Sequence, residues 1–151
     1  MVTPHSLYPL KFLLVALCAG TSIVLFKLVT GYFIADGQSA DIASMRAAAV
    51  IAFQFPESAA AKARSILGGH FVSALVGVLV SQLVDDRTIA AGLAVGIALG
   101  VMHVCRCMHP PGDGTAMVAV LGGRAVLDAG FSFVVLPTLL NALILTALAS
   151  G

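Results

Sequence analysis

Apolar residues fall into six stretches along the 151-residue chain, divided by short polar or Gly/Pro-rich connectors. The first, about residues 10–33, is long enough to cross a bilayer, with Lys11 and Lys27 flanking its apolar centre and Tyr8 and Tyr32 as interfacial anchors. The second, 42–55, covers roughly 21 Å at 1.5 Å per residue, short of a ~30 Å hydrocarbon core. Ser39 or Asp41 is a natural N-cap for it, and Pro56 stops it. The third and fourth stretches, 65–84 and 88–108, meet at the polar turn Asp85-Asp86-Arg87. A short fifth piece, 115–121, closes at Gly122-Gly123, and the last, 130–148, contains Pro137 and Asn141.

Two stretches carry small residues every fourth position: Gly69, Ser73 and Gly77, then Gly92, Gly96 and Gly100. Each predicts a helix face on which another helix packs closely. The six pieces form two groups that both read long, short, long. Arg46-Ala47-Ala48-Ala49-Val50 aligns without gaps on Asp113-Gly114-Thr115-Ala116-Met117. Matching short segments in two halves point to a transporter-type site. The expected fold is therefore all-α: a polytopic membrane bundle, one domain over 1–151, of two three-segment halves with internal pseudo-symmetry.

Composition supports that class. The chain is 60% hydrophobic and 10% charged, against about 25% charged for an ordinary soluble domain, and its mean hydropathy is +1.05. A net charge of +1 lacks the basic face that nucleic-acid binding needs. Cys18, Cys105 and Cys107 all lie in apolar segments, so no disulfide framework is expected. If all six pieces cross with the N-terminus in the cytoplasm, Lys11, Lys62, Arg64 and Arg106 collect inside, against Arg87 and Arg124 outside. If the short pieces re-enter instead, Lys62 and Arg64 move outside.

The stretch Arg106-Cys107-Met108-His109-Pro110-Pro111-Gly112-Asp113-Gly114-Thr115 interrupts this pattern. Its prolines and glycines predict a helix ending near Met108 and another starting near Asp113. A helix break at membrane depth is tolerated where it is buried in protein or lines a wet cavity. His103, Arg106 and His109 form one stripe if the helix persists that far. The new helix would aim N–H groups at the break, Thr115 would add a hydroxyl, and the set suits a small anion. The competing reading has Arg106 at the interface and His109 capping a carbonyl. The alternation His103, Cys105, Cys107, His109 would gather soft ligands only in extended backbone; on a helix such neighbours diverge, so no metal site is expected. No nucleophile–base set or phosphate loop is present, and the chain does not read as an enzyme or a cofactor protein.

His109-Pro110-Pro111-Gly112, with Arg106, Thr115-Ala116 and Leu121-Gly122-Gly123, resembles the HPP family of small integral membrane proteins. Pro56-Glu57-Ser58, Arg64 and Gly68-Gly69-His70 carry the same resemblance, which covers roughly residues 40–148. It implies four transmembrane helices and, since some plant chloroplast and cyanobacterial members are implicated in nitrite transport, a small-anion substrate. It also implies that His70 belongs to the core pattern. The family pattern has Gly where Arg46 and Asp113 stand, Pro and Asn at Ala63 and Ser65, and Thr at Cys107.

Arg46 and Asp113 occupy matching positions of the repeat, so the expectation is a buried ion pair between them, because a lone charge in hydrocarbon is costly. The expected function is transport or channelling of a small anion, nitrite first. Arg106, His109, Thr115 and His70 would bind it, and Pro110, Pro111, Gly112, Gly68 and Gly69 would shape the break. The setting is a bacterial inner membrane, with a homo-oligomer formed over the glycine faces. The alternative is a non-transporting scaffold or sensor subunit whose His-Pro-Pro break is architectural.

Overall fold

In the computed structural model residues 8–34 and 40–150 are described, with side chains for 13–34 and 43–150. Seven α-helices follow one another: α1 (Tyr8–Phe33), α2 (Ala40–Gln54), α3 (Ala63–Leu83), α4 (Arg87–Val104), α5 (Pro110–Leu121), α6 (Arg124–Ala129) and α7 (Leu140–Ala149). No strand occurs among the described residues. Three helical segments are long and apolar enough to span a membrane: Leu13–Phe33, Ala63–Leu83 and Arg87–Val104. Their outward faces are apolar, with Leu13, Leu17, Val24 and Leu28 on α1 and Ile89, Leu93 and Ile97 on α4 all exposed. Such surface suits lipid and is rare on a soluble monomer. The anchors Tyr8 and Lys11 and the caps Ser39 and Asp41 lie outside the residues whose side chains are described.

Local chemistry sets most helix ends. Asp86 Oδ1 accepts from the N–H groups of Thr88 and Ile89 at 2.9 and 3.0 Å, an N-cap that starts α4. α4 stops at Val104, earlier than the expected Met108. The reason is a Schellman ending: Cys107 N–H donates to Met102 O and Arg106 N–H to His103 O, at 3.0 and 3.1 Å. Arg106 occupies the left-handed position of that motif, at φ 53°, where glycine is the usual residue. α5 then begins at Pro110 rather than near Asp113. Proline fits a first helical turn, because the N–H it lacks would have no partner there.

α5 is the central short helix and packs on α3, α4 and α2. The small-residue stripe of α3 makes this possible. A Cβ on Gly77 would come within 2.6 Å of Ala116 O. The second glycine stripe behaves differently. Gly92, Gly96 and Gly100 have nothing within 4 Å of a would-be Cβ, and α4 turns Ala90, Ala94, Ala98 and Met102 inward instead. α2 packs on α1, α5 and α7, and buries Met45, Ala48, Ala49 and Ala52. The last stretch is not one helix. Arg124–Ala129 forms its own short helix, and Leu136 leaves helical geometry before a cis Leu136–Pro137 peptide. Beyond that kink, Asn141 Nδ2 donates to Thr30 Oγ1 at 3.0 Å, the interhelical bond expected of a buried polar residue.

Candidate functional site

The two motif strings lie against each other because glycines let backbone meet backbone. A Cβ on Gly69 would sit 2.5 Å from His109 Cβ, and one on Gly68 2.8 Å from Cys107 Cβ. A Cβ on Gly112 would meet the Gly69 carbonyl carbon at 2.9 Å. The segment 105–109 is thereby pressed onto the first turns of α3. His70 and His109 are fully buried there, with ring centroids 5.1 Å apart and planes tilted by 58°.

A chain of hydrogen bonds leads away from His70. Its Nδ1 lies 2.9 Å from Thr115 Oγ1, which lies 2.8 Å from Ser44 Oγ, which donates to Pro111 O at 2.6 Å. All three side chains are buried. The proton order follows from the end of the chain. A carbonyl only accepts, so the Ser44 proton points to Pro111. Ser44 then accepts from Thr115, and Thr115 accepts from His70, whose proton is therefore on Nδ1. His109 Nδ1 lies 2.7 Å from Ala60 O, so its proton is on Nδ1 as well. In a neutral imidazole the other nitrogen is a bare acceptor. Both Nε2 atoms are buried and have no hydrogen-bond partner among the described residues.

Of the four expected binding residues, three converge: His70, His109 and Thr115. Arg106 does not. With α4 ended at Val104 the stripe His103–Arg106–His109 never forms, and Arg106 is exposed on the break's outer side. Another arginine holds the break: Arg64 donates to Cys105 O at 2.8 Å. The expected buried pair is also absent. Arg46 is exposed, Asp113 is half-buried, and no salt bridge joins them. Arg46 lies two residues from Ser44, and Asp113 two from Thr115. Side chains two apart on a helix point to nearly opposite sides, so the hydroxyls that turn inward send the charges out. Ser44 was not anticipated. Its signal was the repeat expected from the sequence, whose offset of 67, carried two residues beyond the aligned stretch, sets it against Pro111.

The start of α5 offers fewer donors than a helix N-terminus usually does. Pro110 and Pro111 carry no N–H, and that of Gly112 is bonded to His109 O at 2.8 Å. His103 and Cys105 are exposed, while Cys107 and His109 are buried, so the alternating ligands do not gather. Beside the hydroxyl end of the network, between α2 and α5, lies a crevice of about 210 Å³ lined by Ala43, Ser44, Gly114, Met117, Val118 and Leu121.

The chain matches the family described as HPP, transmembrane region, over residues 4–151. Two proteins of Dictyostelium discoideum, each described as a transmembrane protein, are 38% and 34% identical to it over 113 residues. Each alignment covers 71% of this chain, and 39% and 36% of the respective relatives. The chain thus spans well under half the length of the curated relatives it matches. No solved structure matches it. With the His-Pro-Pro-Gly and Gly-Gly-His strings packed together at its centre, the chain belongs to the HPP transmembrane-region family.

Proposed function

We propose that this membrane protein conducts a small inorganic anion, nitrite first, through the region around His70, His109 and Thr115. The observation that carries the reading is the buried polar cluster. Two histidines and two hydroxyls occupy the middle of an apolar bundle where leucine or alanine would cost less. Buried ionisable residues inside membrane bundles commonly mark a substrate or proton path. The choice of nitrite comes from the resemblance to transport-linked family members. In this reading the two short helices, α2 and α5, are equivalent middle segments of two pseudo-symmetric halves meeting at the site. The N-terminus faces the cytoplasm, and the chain acts without a catalytic step.

Nitrite uptake into proteoliposomes, with wild type beside His70→Ala and His109→Ala, tests the proposal. Uptake above empty liposomes, lost in variants that still elute as folded protein, is the expected result. No uptake by folded wild type would reject it.

The scaffold or sensor reading has its own support. His109 donates to Ala60 O, as a residue that merely closes a helix break would. The crevice reaches Ser44, and neither histidine lines it. That reading predicts that His109→Asn, which keeps a donor, retains full stability and whatever partner the protein binds.

A homo-oligomer is part of the proposal. The outward stripe Gly92, Gly96 and Gly100 suits close helix packing between copies. Gly96→Leu should shift the species seen by light scattering in detergent toward monomer, and an unchanged mass would count against that interface.

A further inference from the structure

We propose that the His70–His109 pair takes its ligand together with a proton, so that a small weak acid enters as the acid and not as the bare anion. This rests on the anion-conducting reading above and refines it.

The available donors decide what the pair can hold. The Ser44–Thr115–His70 chain ends on a carbonyl, so every proton in it is committed. The His109 N–H is committed to Ala60 O. The two prolines of α5 have no N–H, and that of Gly112 is taken. Among its side chains, the cluster leaves open two Nε2 lone pairs, both buried. Lone pairs repel an anion and accept from a donor. A bare anion would therefore face two acceptors and no free side-chain donor. One added proton reverses this. Placed on either Nε2, it makes that ring a charged donor; placed on the ligand, it makes the ligand a neutral O–H donor to Nε2. The two arrangements contain the same atoms: the weak acid HA, with A⁻ and H⁺ bound together. No redox step or bond other than N–H or O–H is involved.

Few other groups compete for this proton. Asp113, in the first turn of α5 four residues beyond His109, is half-buried. Arg64, at the start of α3, is bound to Cys105 O. Cys107 faces Gly68. Arg106 on the break and Arg46 on α2 are exposed, and Lys62 and Glu57 form a salt bridge at the surface before α3. Asp113 is the rival proton acceptor, and the test includes it.

The measurement is nitrite affinity of the purified protein in detergent at pH 6, 7 and 8. If one proton binds with each ion, the apparent Kd rises about tenfold per pH unit. Asp113→Asn should keep this slope. His70→Asn and His109→Asn each keep an N–H where Nδ1–H was but lose one Nε2 lone pair; either remaining ring can still take the proton, so the double variant is the one that should flatten the slope. Nitrite binding whose affinity does not vary with pH would overturn this inference while leaving the anion reading intact; the lone pairs would then serve a structural water. A slope abolished by Asp113→Asn would move the proton to that carboxylate and equally overturn it. No nitrite binding at any pH would reject the anion reading itself and this inference with it.

Discussion

Ser44 Oγ donates to Pro111 O at 2.6 Å, and the two residues stand 67 apart, the offset that also relates Arg46 to Asp113. The contact joins α2 to α5 at turns that the proposed repeat sets in correspondence. It also fixes the direction of every proton in the chain back to His70. Thr115 is the link whose loss should matter most, because it serves two partners. Thr115→Val strands the buried His70 N–H and should cost about 2–3 kcal/mol. Ser44→Ala keeps the His70–Thr115 bond and frees Pro111 O, the carbonyl four residues before Thr115, for the Thr115 hydroxyl to turn to, and should cost nearer 1 kcal/mol. Thermal unfolding in detergent compares the two, and the double variant should fall short of their sum because the sites share one network.

The glycines of α3 and α4 should separate sharply. Gly69→Ala forces a Cβ to 2.5 Å from His109 Cβ and 3.3 Å from Cys107 O. Overpacking of this kind costs about 1–3 kcal/mol. Gly96→Ala meets nothing within 4 Å inside the protomer, and in dissociated protomers should instead gain up to about 1 kcal/mol from helix propensity. Melting temperatures of dissociated protomers moving in opposite directions would bear this out; a Gly96→Ala variant destabilised only in the oligomer would support the proposed contact between copies.

Arg106 gives a test that separates structure from ion binding. Its φ of 53° is strained for a residue with a Cβ, so Arg106→Gly should stabilise the helix end by about 1 kcal/mol. It should also leave nitrite affinity within about twofold, since the arginine is exposed and outside the cluster. Loss of binding in a stabilised variant would return Arg106 to the site.

Arg46 and Asp113 should behave independently. With no salt bridge between them, a double-mutant cycle on Arg46→Ala and Asp113→Ala should give a coupling below about 0.5 kcal/mol. A coupling of several kcal/mol would restore the buried pair.

Between α1 and α7, Asn141→Ala removes the 3.0 Å bond to Thr30. Interhelical bonds of this kind are worth about 0.6–1.7 kcal/mol. Thr30→Val should cost a similar amount, measured by the same unfolding assay, with little further loss in the pair.

The linear pattern of residues determined the class and the parts. Long apolar runs demanded helices in a membrane, Pro56 and the Pro110-Pro111 pair demanded stops and starts, and Gly69, Ser73 and Gly77 marked a face for close packing. Those are local properties, readable within a few turns of chain. The motif strings Gly68-Gly69-His70 and His109-Pro110-Pro111-Gly112 were visible too, as was the suspicion that they share a site. Tertiary structure decided which side of each helix faced inward. A 3.6-residue period states that Ser44 and Arg46 cannot both face α5, nor Thr115 and Asp113 both face α2, but it does not choose between them. The bundle chose the hydroxyls, because they close a hydrogen-bond chain at little desolvation cost while buried charges would have had to forfeit their hydration. It removed Arg106 from the site in the same way. A Schellman ending at Val104, completed by the packing of 105–109 onto Gly68 and Gly69, turned the arginine outward and left two histidines facing each other.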